Sequence, residues 1–256
     1  VMAVLSLRFQ SKLLGFSTAV RILIPTEWGK EFDYKAYYEN KEKLPVLWLL
    51  HGGSDNYADW HDCTTVQILA DQYKIAVIMP DAQNSSYSNM AFGPAWFDYM
   101  TQELPEYLYQ RFPFSREREK NFIAGMSMGG YGAYKWGLTC PEKFAAIGGV
   151  AGSYHAEYRY QGKVNTVSTL CEALYGDPPA ITPEVHDVFT LLKNRKEEGR
   201  DIPRLYTCCG TEDRRHQDSV DLKEFADQLG VPLLFEEGPG RHDDIFFDEY
   251  IQKILD

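Results

Sequence analysis

Three residues in this chain have the chemical types and the setting to work together as a nucleophile, a base and an acid. Ser127 sits in Gly125-Met126-Ser127-Met128-Gly129-Gly130-Tyr131-Gly132, directly after the apolar run Asn121-Phe122-Ile123-Ala124 and ahead of a helix-forming stretch of small residues. Gly-x-Ser-x-Gly between a strand and a helix predicts a sharp turn with the serine at its apex. The flanking glycines let strand and helix pass close to that strained residue. A serine hydroxyl is a weak nucleophile until a base takes its proton, and histidine does so near neutral pH when a carboxylate fixes its tautomer. His242 follows the predicted strand Val231–Glu236 in Gly238-Pro239-Gly240-Arg241-His242, and Asp213 follows the predicted strand Arg204–Cys209 in Gly210-Thr211-Glu212-Asp213. Both therefore fall at strand C-termini, the edge where open parallel sheets bind ligands.

Other assignments of base and acid are less well placed. His216 falls at the start of a predicted helix, His51 precedes a glycine loop, and His61, His155 and His186 have no strand-end setting. Asp218 and Asp187 are substitutes for the acid, while Asp243 and Asp244 can serve as caps for the last helix. Acyl transfer through Ser127 also needs backbone N–H groups aimed at the oxygen that becomes negative. Met128, next to the serine, and Gly53, in His51-Gly52-Gly53-Ser54 after the run Val46–Leu50, are the expected donors.

The elements that must position these residues alternate. Strands are expected over Val4–Gln10, Thr18–Ile24, Val46–Leu50, Ile75–Met79, the stretch before Ser127, Phe144–Val150, Arg204–Cys209 and Val231–Glu236. Helices are expected over Trp60–Gln72, from about Phe97 to Arg111, from Ser127 to about Cys140, over Gln217–Leu229 and over Asp244–Leu255. Buried strands alternating with helices indicate an α/β fold, a mostly parallel sheet covered on both faces, with an antiparallel pair extending one edge. The looser stretch 152–203, with helices over Thr166–Tyr175 and Pro183–Lys196, is longer than a loop requires and reads as a small lid-like insertion within a single domain.

The chain has 256 residues, 44% of them hydrophobic, and a formal net charge of −11, so it has material for one substantial core and no basic surplus. That balance argues against phosphate-neutralising nucleic-acid binding and disfavours an anionic membrane surface. The five cysteines form no CxxC, and Cys208-Cys209 reads as core, which fits a reducing compartment. Val1–Arg8 lacks the basic and long apolar regions of a signal peptide, so a cytoplasmic location is expected. The six histidines show no HExxH and no close ligand pair, and no phosphate-cradling glycine loop occurs, so neither a metal nor another cofactor is expected.

Leu50-His51-Gly52-Gly53, the Gly-x-Ser-Met-Gly-Gly-Tyr-Gly core around Ser127, Cys209-Gly210-Thr211-Glu212-Asp213 and Gly240-Arg241-His242 together resemble the bacterial tributyrin-esterase group of the esterase D family. That family includes S-formylglutathione hydrolases and carbohydrate esterases acting on acetyl or feruloyl groups. The resemblance implies an α/β-hydrolase fold and cofactor-free serine esterase activity on small-molecule or oligosaccharide esters, with or without self-association. It assigns catalysis to Ser127, Asp213 and His242, and the oxyanion hole to Gly53 and Met128. The chain departs from the pattern in three places. Asp244 stands where relatives often carry an aromatic residue, Arg214-Arg215-His216 follow the acid in place of apolar residues, and the hole position is the small Gly53. Arg214, Arg215 and Arg241 flank the two triad loops and either bind an anionic part of a substrate or form a solvated rim. Trp96, Tyr154 and Tyr158 are candidate substrate-facing aromatics, with core or lid packing as the alternative.

Overall fold

The computed structural model describes residues 2–26, 42–155, 166–176 and 182–255, with only the backbone of 166–170. Among the described residues, eight strands form one sheet in the order β1-β2-β4-β3-β5-β6-β7-β8. They are β1 (Met2–Gln10), β2 (Ser17–Pro25), β3 (Val46–Leu50), β4 (Ala76–Pro80), β5 (Asn121–Met126), β6 (Ala146–Val150), β7 (Arg204–Gly210) and β8 (Leu233–Gly238). β1 pairs with β2 and β2 with β4 in antiparallel fashion, and all other pairings are parallel. The expected antiparallel extension of one edge is therefore present.

β3 shows why the sheet lies between two layers. All five of its residues are buried, and the two-residue period of a strand sends them alternately to opposite faces. Val46, Trp48 and Leu50 join one apolar core with Tyr134, Trp136 and Phe144. Leu47 and Leu49 join the other with Trp60, Leu69, Phe247 and Ile251. The C-terminal helix Asp244–Leu255 and the helix Val66–Tyr73 cover this second face. On the first face the helix Met128–Thr139 is buried from Met128 to Leu138. Val188, Leu191 and Leu192 of the helix Val188–Glu197 join its core, so that part of the 152–203 stretch belongs to the layer covering the sheet.

Three expected helices are interrupted, one of them, Pro183–Lys196, at Asp187, where Pro183–His186 ends and Val188–Glu197 begins. The run Trp60–Gln72 divides into Asp59–Cys63 and Val66–Tyr73. Thr64 is extended, and Asp248 of the C-terminal helix accepts from both the N–H and the hydroxyl of Thr65, at 2.5 and 2.7 Å. A tertiary cap thus starts a new helix at that point. The third is the run from Trp96, which passes through a π turn at Tyr99–Glu103 before continuing over Leu104–Tyr109. Pro105 has no N–H for the Thr101 carbonyl, and the wide turn relieves the clash. Lys143 Nζ donates to that freed carbonyl at 2.9 Å.

Candidate active site

β5 ends at Met126, and Ser127 takes φ 53° and ψ −114° before the helix begins at Met128. An L residue holds such a conformation only when its surroundings fix it. Here the Ser127 N–H donates to the Val150 carbonyl at 2.9 Å, and the Ser127 carbonyl accepts from Ser153 N–H at 3.1 Å. The glycines around it are a packing requirement. A Cβ on Gly129 would lie 2.2 Å from the Leu50 carbonyl oxygen, and one on Gly125 would lie 2.4 Å from the Gly129 backbone. No side chain caps the helix that starts at Met128, so its first-turn N–H groups face the serine without an intrahelical acceptor.

Asp213 and His242 come from the turns after β7 and β8. A Cβ on Gly210 would meet the Gly240 carbonyl at 2.3 Å, so glycine lets the two turns touch. His242 Nδ1 lies 2.8 Å from Asp213 Oδ2, and Arg215 N–H donates to Asp213 Oδ1 at 2.7 Å. Burial alone would raise the Asp213 carboxyl. The His242 ring, the Arg215 N–H and the charges of His242 and Arg214 outweigh it, and the carboxyl is held below its ordinary range. With an ionised carboxylate on Nδ1, that nitrogen carries the proton and Nε2 is left as the basic one.

Ser127, Met128, Gly52, Gly53 and His242 line one cleft of about 510 Å³ at the C-terminal edge of the sheet. A Cβ on Gly53 would lie 4.0 Å from Met128 Cβ, so the two residues predicted as donors are neighbours there. Of the six histidines, His242 is the one that lines this cleft among the described residues. His216 instead pairs with Glu237 at 2.6 Å and His155 with Asp221 at 2.8 Å, while His61 lies 2.9 Å from Arg21. Asp187 caps the helix Val188–Glu197, and Asp243 Oδ1 accepts from Phe246 N–H at the start of the last helix. A second cavity, of about 520 Å³, opens at the opposite end of the strands among Leu47, Phe122, Ile147 and Tyr206, and no serine, cysteine or histidine lines it among the described residues.

His51 has a different task. Its ring is buried, Nδ1 lies 2.7 Å from the Gly52 carbonyl oxygen, and Ala82 N–H donates to Nε2 at 3.0 Å. The proton is therefore on Nδ1 and the ring is neutral. Burial lowers its pKa and outweighs the Gly52 carbonyl and the nearby acids, Asp81 first among them. Tyr87 hydroxyl donates to the His51 carbonyl at 2.8 Å, which fixes the start of the glycine loop.

Of the candidate substrate-facing aromatics, the structure places Trp96 and Tyr154 in the core, the alternative the sequence left open. Trp96 is 1% exposed and packs edge-on against Phe16 and Tyr99 in the core. Tyr154 is 0% exposed, and its hydroxyl lies 2.7 Å from Thr207 Oγ1. Tyr158 lies outside the described residues. The arginines divide: Arg214 and Arg215 line the cleft, whereas Arg241 is absent from its lining, well exposed and paired with Glu212 at 3.1 Å. Arg241 thus belongs to the solvated rim. The cleft also holds Asp55, Asn84, Ser86 and Phe247, which sequence reasoning did not single out. Asn84 follows the C-terminal end of β4, so the strand-end rule that located Asp213 and His242 would have pointed to it.

Residues 12–232 match the model of the Esterase family. An acetyl esterase of Caldicellulosiruptor saccharolyticus is 31% identical over 272 residues, covering 100% of this chain and 97% of its own. The solved structure of the Staphylococcus aureus fluorophosphonate-binding serine hydrolase FphF, with substrate bound, is 33% identical and superposes with a TM-score of 0.90, over 99% of this chain and 97% of that one. An S-formylglutathione hydrolase (FrmB) from the same organism is also 33% identical, with a TM-score of 0.87 over 100% and 98% of the two chains. The fold is that of the α/β-hydrolases, and the chain belongs to the Esterase family as a serine esterase.

Proposed function

We propose that this esterase, a member of the tributyrin-esterase-like subgroup, hydrolyses short-chain acyl esters, acetyl esters foremost, on small molecules or oligosaccharides. The observation that carries the reading is the Asp213–His242 pair at 2.8 Å in the cleft that Ser127 also lines. Ser127 Oγ attacks the ester carbonyl carbon as His242 Nε2 takes its proton, and the carbonyl electron pair moves onto oxygen. The Gly53 and Met128 N–H groups receive that oxyanion. The electrons return as the bond to the leaving alcohol breaks, and His242 gives the alcohol its proton. Water then attacks the acyl-serine by the same route, releasing the acid and restoring Ser127. Asp213 stays ionised throughout and stabilises the imidazolium.

The acyl preference is supported by the acetyl esterase relative, and Met128 and Phe247 are the large apolar residues in the lining of the cleft. The S. aureus S-formylglutathione hydrolase supports a second reading, thioester hydrolysis by the same steps. Purified protein assayed on p-nitrophenyl acetate, p-nitrophenyl butyrate, a feruloyl ester and S-formylglutathione is expected to show its highest kcat/KM on the acetate, with turnover lost in Ser127→Ala. A higher kcat/KM on the thioester would favour the second reading. Turnover retained in Ser127→Ala would remove both.

A further inference from the structure

An oxyanion donor works only if its N–H is both unoccupied and held still, and here the loop around Gly53 is held from outside the chain segment that forms it. The Ser54 N–H, next to the predicted donor, is taken by Asn84 Oδ1 at 2.7 Å. Ser54 itself has φ 71°, a left-handed conformation that a serine does not hold without support. Asn84 stands on the loop after β4, thirty positions further along the chain, and a Cβ on Gly53 would lie 3.8 Å from its Oδ1. The carboxamide orientation is fixed chemically. Since Ser54 offers an N–H, the atom facing it must be the oxygen, which leaves the Asn84 NH₂ group directed elsewhere. At the other end of the loop, His51 is tied through its ring to Gly52 and Ala82. Ala82 and Asn84 lie on the same post-β4 loop, so two hydrogen bonds from that loop bracket Gly53 without using its own N–H.

We infer that Asn84 is a positioning residue for the oxyanion hole, acting on the Gly53 N–H through its hydrogen bond to Ser54. This rests on the acyl-enzyme reading above. A ground-state ester oxygen makes little demand on the hole, whereas the tetrahedral oxyanion depends on the exact placing of its donors. Releasing Ser54 therefore weakens transition-state binding and leaves substrate binding nearly as it was. Displacing a donor by about 1 Å is enough for a loss on the order of 10²-fold.

The test compares wild type with Asn84→Ala, Asn84→Asp and Ser127→Ala on p-nitrophenyl acetate, with phenylboronic acid as a tetrahedral mimic. Asn84→Ala is expected to lower kcat by about 10- to 100-fold at near-constant KM, and to raise the boronate Ki by a comparable factor. Asn84→Asp keeps the acceptor and loses the NH₂ group, so it is expected to turn over faster than Asn84→Ala, with partial recovery because its charge lies beside the hole. An unchanged kcat in Asn84→Ala, or a loss carried by KM alone, overturns the inference while leaving the nucleophile intact, provided Ser127→Ala is inactive. An Asn84→Asp variant no faster than Asn84→Ala would move the role to the NH₂ group and overturn it too. If Ser127→Ala retains turnover, the acyl-enzyme reading fails and this inference fails with it.

Discussion

His51 should make the protein sensitive to acid over a range in which most carboxylates are still ionised. In the folded chain its ring is neutral because burial lowers its pKa from the ordinary 6.5, and Ala82 N–H occupies the nitrogen that a second proton would need. The unfolded chain has neither constraint and takes up a proton below pH 6.5. Stability from this group is therefore complete above that value and is lost progressively as pH falls toward the folded pKa. Over that interval the loss is about 1.4 kcal/mol per pH unit. For a chain of this size that corresponds to about 3–6 °C in Tm per unit. His51→Gln supplies the comparison, because Gln can still accept from Ala82 N–H but cannot charge. Its loss of the bond to the Gly52 carbonyl costs about 1 kcal/mol at every pH. Tm measured from pH 7.5 to 5 should converge for the two proteins as pH falls, the wild type falling more steeply. The other histidines are the same in both proteins and cancel. Parallel curves for wild type and His51→Gln would refute the argument.

Asp213→Asn should lower kcat by about 10⁴-fold with little change in far-UV circular dichroism, since an amide does not hold His242 in the tautomer that leaves Nε2 basic. Because the Asp213 carboxyl is held below its ordinary 3.8, the stability it adds is full above that value and lost as pH falls through the folded one. The Tm gap between wild type and Asp213→Asn should therefore narrow only below about pH 4. Gly129→Ala places a Cβ 2.2 Å from the Leu50 carbonyl oxygen and should destabilise by about 3 kcal/mol or more, read as a lowered urea midpoint. Gly53→Ala meets nothing closer than 3.8 Å and keeps its N–H, so kcat/KM should stay within about tenfold of wild type. Arg214→Ala should reduce kcat/KM for an anionic ester relative to a neutral one, with the difference fading at high salt, and Arg241→Ala should leave that ratio unchanged.

The parts of the structure legible in the sequence are those decided by nearby residues. β3 and the C-terminal helix fall where their apolar patterns place them, Val46–Leu50 and Asp244–Leu255. The turns carrying Asp213 and His242 also needed only a strand followed by glycine. The break at Thr64-Thr65 did not show, because the carboxylate that makes it, Asp248, is 183 positions away. The π turn had a local cause in Pro105, but the group satisfying its freed carbonyl is Lys143 on another element. For Trp96 and Tyr154 the sequence leaves cleft and core both open for a similar reason. An aromatic ring with a polar atom suits a cleft or a core equally well, and burial is set by which elements close over it.

The same distinction explains why candidate donors can be named from the sequence and the group holding one of them cannot. Ser127 and Met128 are joined by one peptide bond, so the turn that raises the hydroxyl also presents the neighbouring N–H. Gly53 is on a separate strand end, and its position relative to Ser127 must be set by contacts between loops. Those contacts are Ala82 to the His51 ring, Tyr87 to the His51 carbonyl and Asn84 to Ser54, all from the segment after β4. β4 is hydrogen-bonded to β3, which brings their C-terminal loops side by side. The proposed arrangement, in which one strand supplies the nucleophile and the next the second oxyanion donor, thus depends on a third strand that supplies neither. Substitutions after Pro80 should accordingly change kcat for ester hydrolysis more than KM, even where no side chain there touches the substrate.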